Sequence, residues 1–157
     1  MKIILILVGK TATSPLNEML KDYEGRLKHY APFHIEIIPD LRNTKNLSEN
    51  EIKEKEGDLI LKTLQSSDTV VLLDDKGAHF KSLEFASWLE RKQNNVAKRL
   101  VFIIGGAYGF SKAIYNRANE KLSLSKMTFS HQLVRVIFAE QLYRAFTILN
   151  NEPYHHE

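Results

Sequence analysis

Two uninterrupted apolar runs, Val70 to Leu73 and Val101 to Ile104, constrain this chain more than any other feature. A strand with one wet face alternates polar and apolar residues, whereas a strand apolar at every position must be covered on both sides. A parallel sheet between two layers of helices provides that cover. The remaining pattern agrees. Lys2 to Val8 is a β-branched apolar run, and Ser14-Pro15, an N-cap with a first-turn proline, opens a helix to about Tyr30. Phe33 to Pro39 starts in period-2 alternation. Ser48 with Glu51 three residues on is a capping box for a helix to about Gln65. Thr69 to Leu73 is a strand, Ser82 to about Gln93 a helix, Leu100 to Ile104 a strand, Ser111 to about Ala118 a short helix, and Leu122 to Leu124 a brief strand. Strands alternating with helices predict an α/β fold with a mainly parallel sheet flanked by helices. With 157 residues, 43% of them apolar, the chain builds one domain over 1–157.

The last helix, about His131 to Asn150, carries apolar residues around most of its circumference, from Leu133 and Val134 to Ile148 and Leu149. One stripe suffices for one core. The excess predicts a second surface, assigned here to a partner subunit, with a helix sandwiched inside the monomer as the alternative.

The chain has no cysteine, which excludes disulfides, thiolate metal sites and a cysteine nucleophile, and agrees with a cytosolic compartment. The first apolar run is too short to span a membrane, and no targeting segment is visible. The six histidines form no zinc-binding pair, so no metal is expected. Up to Glu90 there are 12 basic and 15 acidic residues; beyond it, 10 and 4. A basic second half is the footprint of a polyanion partner, and equally of a solvated face.

Ligands of open α/β sheets bind at the carboxyl ends of the strands, so the loops after the third, fourth and fifth strands hold the chemistry. Gly105-Gly106-Ala107-Tyr108-Gly109 is neither a dinucleotide fingerprint nor a phosphate loop, and reads as a tight turn or a close backbone approach to a ligand. Leu73-Asp74-Asp75-Lys76-Gly77 reads as a polar turn rather than a metal or acid-base pair, with Leu73 the last buried strand residue. Leu124 to Ser130 has neither helical nor strand period, and Ser130 is a good N-cap. Glu140 and Arg144 form an i,i+4 pair, ordinarily a surface salt bridge. The ending Glu152-Pro153-Tyr154-His155-His156-Glu157 is either frayed or placed to reach another subunit.

Ile104-Gly105-Gly106 with Gly109, Leu122-Ser123-Leu124-Ser125, Met127-Thr128, His131, Leu133-Val134-Arg135-Val136, Glu140-Gln141-Leu142-Tyr143-Arg144-Ala145 and Pro153-Tyr154-His155 together resemble one family. It is the RlmH family of 23S rRNA pseudouridine-N3 methyltransferases, in the SPOUT superfamily. The resemblance runs over nearly the whole chain. It implies a C-terminal trefoil knot, an obligate homodimer and S-adenosylmethionine as cofactor. Cofactor contacts would come from Leu73, Gly105, Gly106 and the loop Leu124, Ser125, Lys126, Met127, Thr128, Phe129 and Ser130, largely through backbone. Arg144, Tyr154 and His155 would be catalytic, the tail arriving from the partner subunit, and Arg135 would face the RNA. Many relatives carry proline at Ser130 and lysine at Ala78. The second departure leaves open whether Lys76 takes over a phosphate contact to the RNA. The implied substrate is 23S rRNA within the ribosome. A SPOUT methyltransferase of tRNA, a non-catalytic ribosome-binding module and a flavodoxin-like redox domain are the competing readings.

Overall fold

A computed structural model describes all residues, 1–157. The chain runs β1 (Lys2–Val8), α1 (Ser14–Leu27), β2 (Phe33–Ile38), a 3₁₀ turn (Thr44–Asn46), α2 (Glu49–Thr63), β3 (Thr69–His79), α3 (Ser82–Asn95), β4 (Arg99–Ile104), α4 (Lys112–Arg117), β5 (Glu120–Ser123) and α5 (Leu133–Leu149). All five strands are parallel, in the order β2-β1-β4-β3-β5. The α/β sandwich expected from the two apolar runs is what forms. Alternate residues of the central strands feed two separate cores. Leu5, Leu7, Phe102 and Ile104 face one layer, where α1, α3 and α5 pack. Ile4, Ile6, Val101 and Ile103 face the other, beneath α2 and α4.

Two boundaries differ from expectation in ways that matter. β3 continues through the supposed polar turn to His79, changing register against β5 between Leu73 and Ala78. The two readings meet at Asp74, whose Oδ1 accepts from the Lys76 amide at 2.8 Å as a turn would require, while the backbone beyond it pairs again as strand. Gly77 is needed there, since a Cβ would lie 2.6 Å from the Leu122 nitrogen on β5. In addition, α1 ends at Leu27 rather than near Tyr30, and its N-cap is Thr13 rather than Ser14. Ser48 caps α2 as expected, its Oγ accepting from the Glu51 amide at 3.1 Å.

The all-round apolar α5 does not by itself demand another subunit. It lies between α1 and α3 on the sheet, so one chain covers three of its sides. Phe138 packs on Phe102 with ring centroids 4.7 Å apart, and Phe146 stacks on Tyr30 at 5.4 Å. What remains open is a narrow stripe: Leu133, 43% exposed, followed by the half-buried Ile137, Gln141, Arg144 and Ile148. No helix is long and apolar enough to cross a membrane.

Candidate active site

A cavity of about 590 Å³ opens at the carboxyl ends of β4 and β5 and the bulged part of β3. That size suits a nucleoside-sized ligand. Leu73, Gly105, Gly106, Leu124, Ser125, Met127, Thr128, Phe129 and Ser130 all line it; of the expected cofactor contacts only Lys126 is off the wall. Lys76 is at the wall as well, joined by Asp74, Asp75, Tyr108, Tyr115, His131 and Val134.

The loop after β4 closes on itself. The Gly109 amide donates to the Gly106 carbonyl at 3.1 Å, and Gly109 takes φ +83°, a conformation glycine adopts without strain. A Cβ on Gly105 would sit 3.2 Å from the Phe110 ring and 3.3 Å from the Gly109 carbonyl. A Cβ on Gly106 would meet the Glu56 carboxylate at 2.8 Å, behind the loop rather than in the cavity. The two glycines therefore serve the turn and its packing on α2. The loop after β5 is held by serine hydroxyls. Ser123 donates to the Ser125 carbonyl at 2.9 Å, Ser125 accepts from the Met127 amide at 2.9 Å, and Ser130 accepts from the Leu133 amide at 3.1 Å. Ser130 thus caps the turn leading into α5.

The opposite wall is acidic. The Tyr115 hydroxyl donates to Asp74 Oδ2. Burial works to raise the Asp74 pKa, but the hydrogen bonds from Tyr115 and the Lys76 amide outweigh it and hold the carboxyl below its ordinary value. Burial, then Asp74 itself, raises the Tyr115 phenol. Asp74 is thus a fixed anion and Tyr115 a fixed donor at neutral pH, and neither is a proton carrier. The sequence pattern marks Asp74 as a turn residue and gives Tyr115 no place in a site. The available signal was the position of Tyr115 one turn after the α4 N-cap Ser111, on the helix that follows the glycine loop.

Arg135 is not on an RNA-facing surface. It is wholly buried, its guanidinium donating to the carbonyls of Val8 (2.6 Å) and Gly9 (2.9 Å) and to Thr11 Oγ1 (3.1 Å), with Nε on the His131 carbonyl (3.1 Å). The five-donor fork closes the start of the chain onto the start of α5, which excludes it from phosphate contact.

Arg144, Tyr154 and His155 do come together, but away from this cavity. Arg144 pairs with Glu140, stands 4.9 Å from the Tyr154 ring centroid, and reaches His155 Nδ1 at 3.3 Å. Tyr154 donates to Glu140 at 3.1 Å and meets the Tyr143 ring edge-on at 4.8 Å. Burial is the main cause that raises the Tyr154 phenol, with hydrogen bonds to Tyr23 and Glu140 adding to it. An arginine only donates, so this contact has His155 Nδ1 as its acceptor, while the buried Nε2 lies 3.5 Å from Glu157 Oε1. The tail is folded rather than frayed: Tyr30 donates to both Glu152 oxygens at 2.8 and 2.7 Å. None of the three lines the cavity. Val134 does, and Arg144 follows ten residues later on the same helix, about 15 Å along its axis.

The parallel five-stranded sheet carries its cavity at the strand ends, walled by backbone turns and carboxylates, and α5 leads from that cavity to a basic and aromatic tail. A family profile described as "Predicted SPOUT methyltransferase" matches residues 1–155, and the chain belongs to that family. Its relatives narrow the class. A protein of Parabacteroides distasonis, called ribosomal RNA large subunit methyltransferase H, is 61% identical over 157 residues, all of both chains. Proteins called the same from Phocaeicola vulgatus and Christiangramia forsetii are 60% identical over the whole of both chains and 58% identical over 99% of both.

Proposed function

We propose that this protein transfers a methyl group from S-adenosylmethionine to N3 of a pseudouridine in 23S rRNA, and that it works as a cytosolic homodimer. The observation that carries the reading is the separation along α5. The cavity lies at its start, while Arg144, with Tyr154 and His155 against it, lies about 15 Å on, and this separation favours the cavity of a second copy as the one these groups serve. The open stripe from Leu133 to Ile148 is the surface on which that copy would pack.

The residues present fit S-adenosylmethionine. Apolar Leu73, Leu124 and Phe129 suit an adenine ring, backbone turns offer donors and acceptors to a ribose, and Asp74 and Asp75 match a cation. Lys76 is the single lysine at the wall, too little charge for a polyphosphate. The bound cofactor supplies an electrophilic methyl, so the protein's work is alignment, exclusion of water and handling of one proton. The imide N3 must lose its proton at or before transfer. Arg144 would stabilise the anion that results, and His155 becomes a proton acceptor only when its Nδ1 is released from Arg144. Knotting of the C-terminal segment belongs to the same reading. The test is mass spectrometry of large-subunit rRNA after incubation of ribosomes with the protein and isotopically labelled S-adenosylmethionine. One labelled methyl on one pseudouridine is the expected result; label in tRNA alone would overturn the assignment.

A further inference from the structure

Seven large hydrophobic residues are exposed on this protein, and three of them, Tyr108, Tyr115 and Met127, line the one large cavity. The two tyrosines differ in a telling way. Tyr115 is anchored, its hydroxyl on Asp74, its ring edge-to-face with Phe110 at 5.8 Å, and the Lys121 ammonium 5.8 Å from its centroid. Tyr108 stands near the apex of the Gly106–Gly109 turn, 47% exposed, where the closing hydrogen bond projects it away from the core. A turn of this kind asks for small or polar residues. Neither the turn closure nor the core uses the aromatic ring at 108.

We propose that Tyr108 is the platform on which the target nucleobase stacks when it enters the cavity. The inference rests on the rRNA activity proposed above and adds the substrate-positioning residue. An aromatic face accepts any base and needs no hydrogen-bond complement, so it positions a base without reading it. A base acted on by an enzyme must leave its stack, and an exposed ring at the mouth replaces the lost neighbour. The donor-lining loops lie at Leu73, Gly105 and Leu124 to Ser130. Tyr108 shares its loop with Gly105, but its exposed ring is tied to no group of that wall, which leaves it to the second substrate.

The experiment compares wild type with Tyr108→Ala, Tyr108→Leu and Tyr108→Phe as intact dimers, by steady-state methyl transfer to ribosomes and by calorimetric titration of S-adenosylmethionine. Tyr108→Ala and Tyr108→Leu are expected to lower kcat/KM for the ribosome by about fivefold to a hundredfold, the range one stacked base supplies. Donor affinity is expected to stay within twofold and Tyr108→Phe to match wild type. A parallel fall in donor affinity would show that the ring belongs to the donor site. An aliphatic Tyr108→Leu that keeps full kcat/KM would show that no stacking occurs. Either result overturns the proposal while wild-type transfer to rRNA upholds the activity; wild type without such transfer overturns both.

Discussion

Arg135 donates to the carbonyl of Val8 across 2.6 Å, joining the last residue of β1 to the first turn of α5 in the buried interior. Residues 127 positions apart are thereby locked at the end of the sheet where the cavity opens. The same guanidinium satisfies the Gly9 carbonyl, at a loop where glycine takes φ +74°.

Arg135→Ala is expected to destabilise the fold by at least about 3 kcal/mol, because carbonyls buried with a charged donor are left unpaired. Thermal unfolding reads this as a fall of roughly 6 to 12 °C. Arg135→Lys should also fail, since an ammonium cannot copy the planar fork. An unchanged melting temperature with weakened RNA binding would return Arg135 to the RNA surface.

Phe138→Asp and Ile137→Asp are expected to separate core from interface. Phe138 is fully buried against Phe102, so a charge there should leave no folded protein. Ile137 lies on the open stripe of α5, and its aspartate variant should fold and sediment as a monomer. An Ile137→Asp dimer of wild-type affinity would remove α5 from the subunit interface.

Arg144→Ala and removal of residues 154–157 should each lower methyl transfer by a factor of hundreds, about 3 to 4 kcal/mol for an anion-stabilising donor, with donor affinity kept. A surface ion pair alone is worth only about 0 to 1 kcal/mol. Because Arg144 and His155 touch within one chain, these two variants are not expected to rescue each other in mixed dimers. Arg144→Ala mixed with a cavity-blocked Leu124→Arg subunit should regain one working site per heterodimer. Failure of that rescue, with heterodimers verified, would place Arg144 at its own chain's cavity.

Glu56→Gln is expected to stabilise the protein at neutral pH. Burial first, and Asp40 second, raise the Glu56 carboxyl, and its Oε1 is buried without a partner behind Gly106. A raised acid penalises the fold once pH exceeds the ordinary glutamate range, and the penalty vanishes below it, where both folded and unfolded forms are protonated. The gain should be about 1 kcal/mol, or roughly 2 to 4 °C, near pH 8 and close to nothing near pH 4. An equal gain at both pH values would mean that ionisation is not its source.

Strands, helices and their parallel arrangement were legible in the sequence because they follow from short-range chemistry: unbroken apolar runs, Ser48 as a cap, glycines where β4 ends; Ser130 instead caps the turn before α5, whose N-cap is Gln132. The loops that wall the cavity were legible for the same reason, being contiguous backbone segments at strand ends. Tertiary structure alone decided the rest. Arg135 is as basic in the sequence as Arg144, yet only the path of α5 between α1 and α3 puts one against the Val8 carbonyl and the other beside the tail. Tyr115 becomes part of the cavity through Asp74, 41 residues away, and Gly106 is shaped by Glu56 on another helix. Burial and long-range hydrogen bonds depend on which elements meet, and no local pattern encodes that.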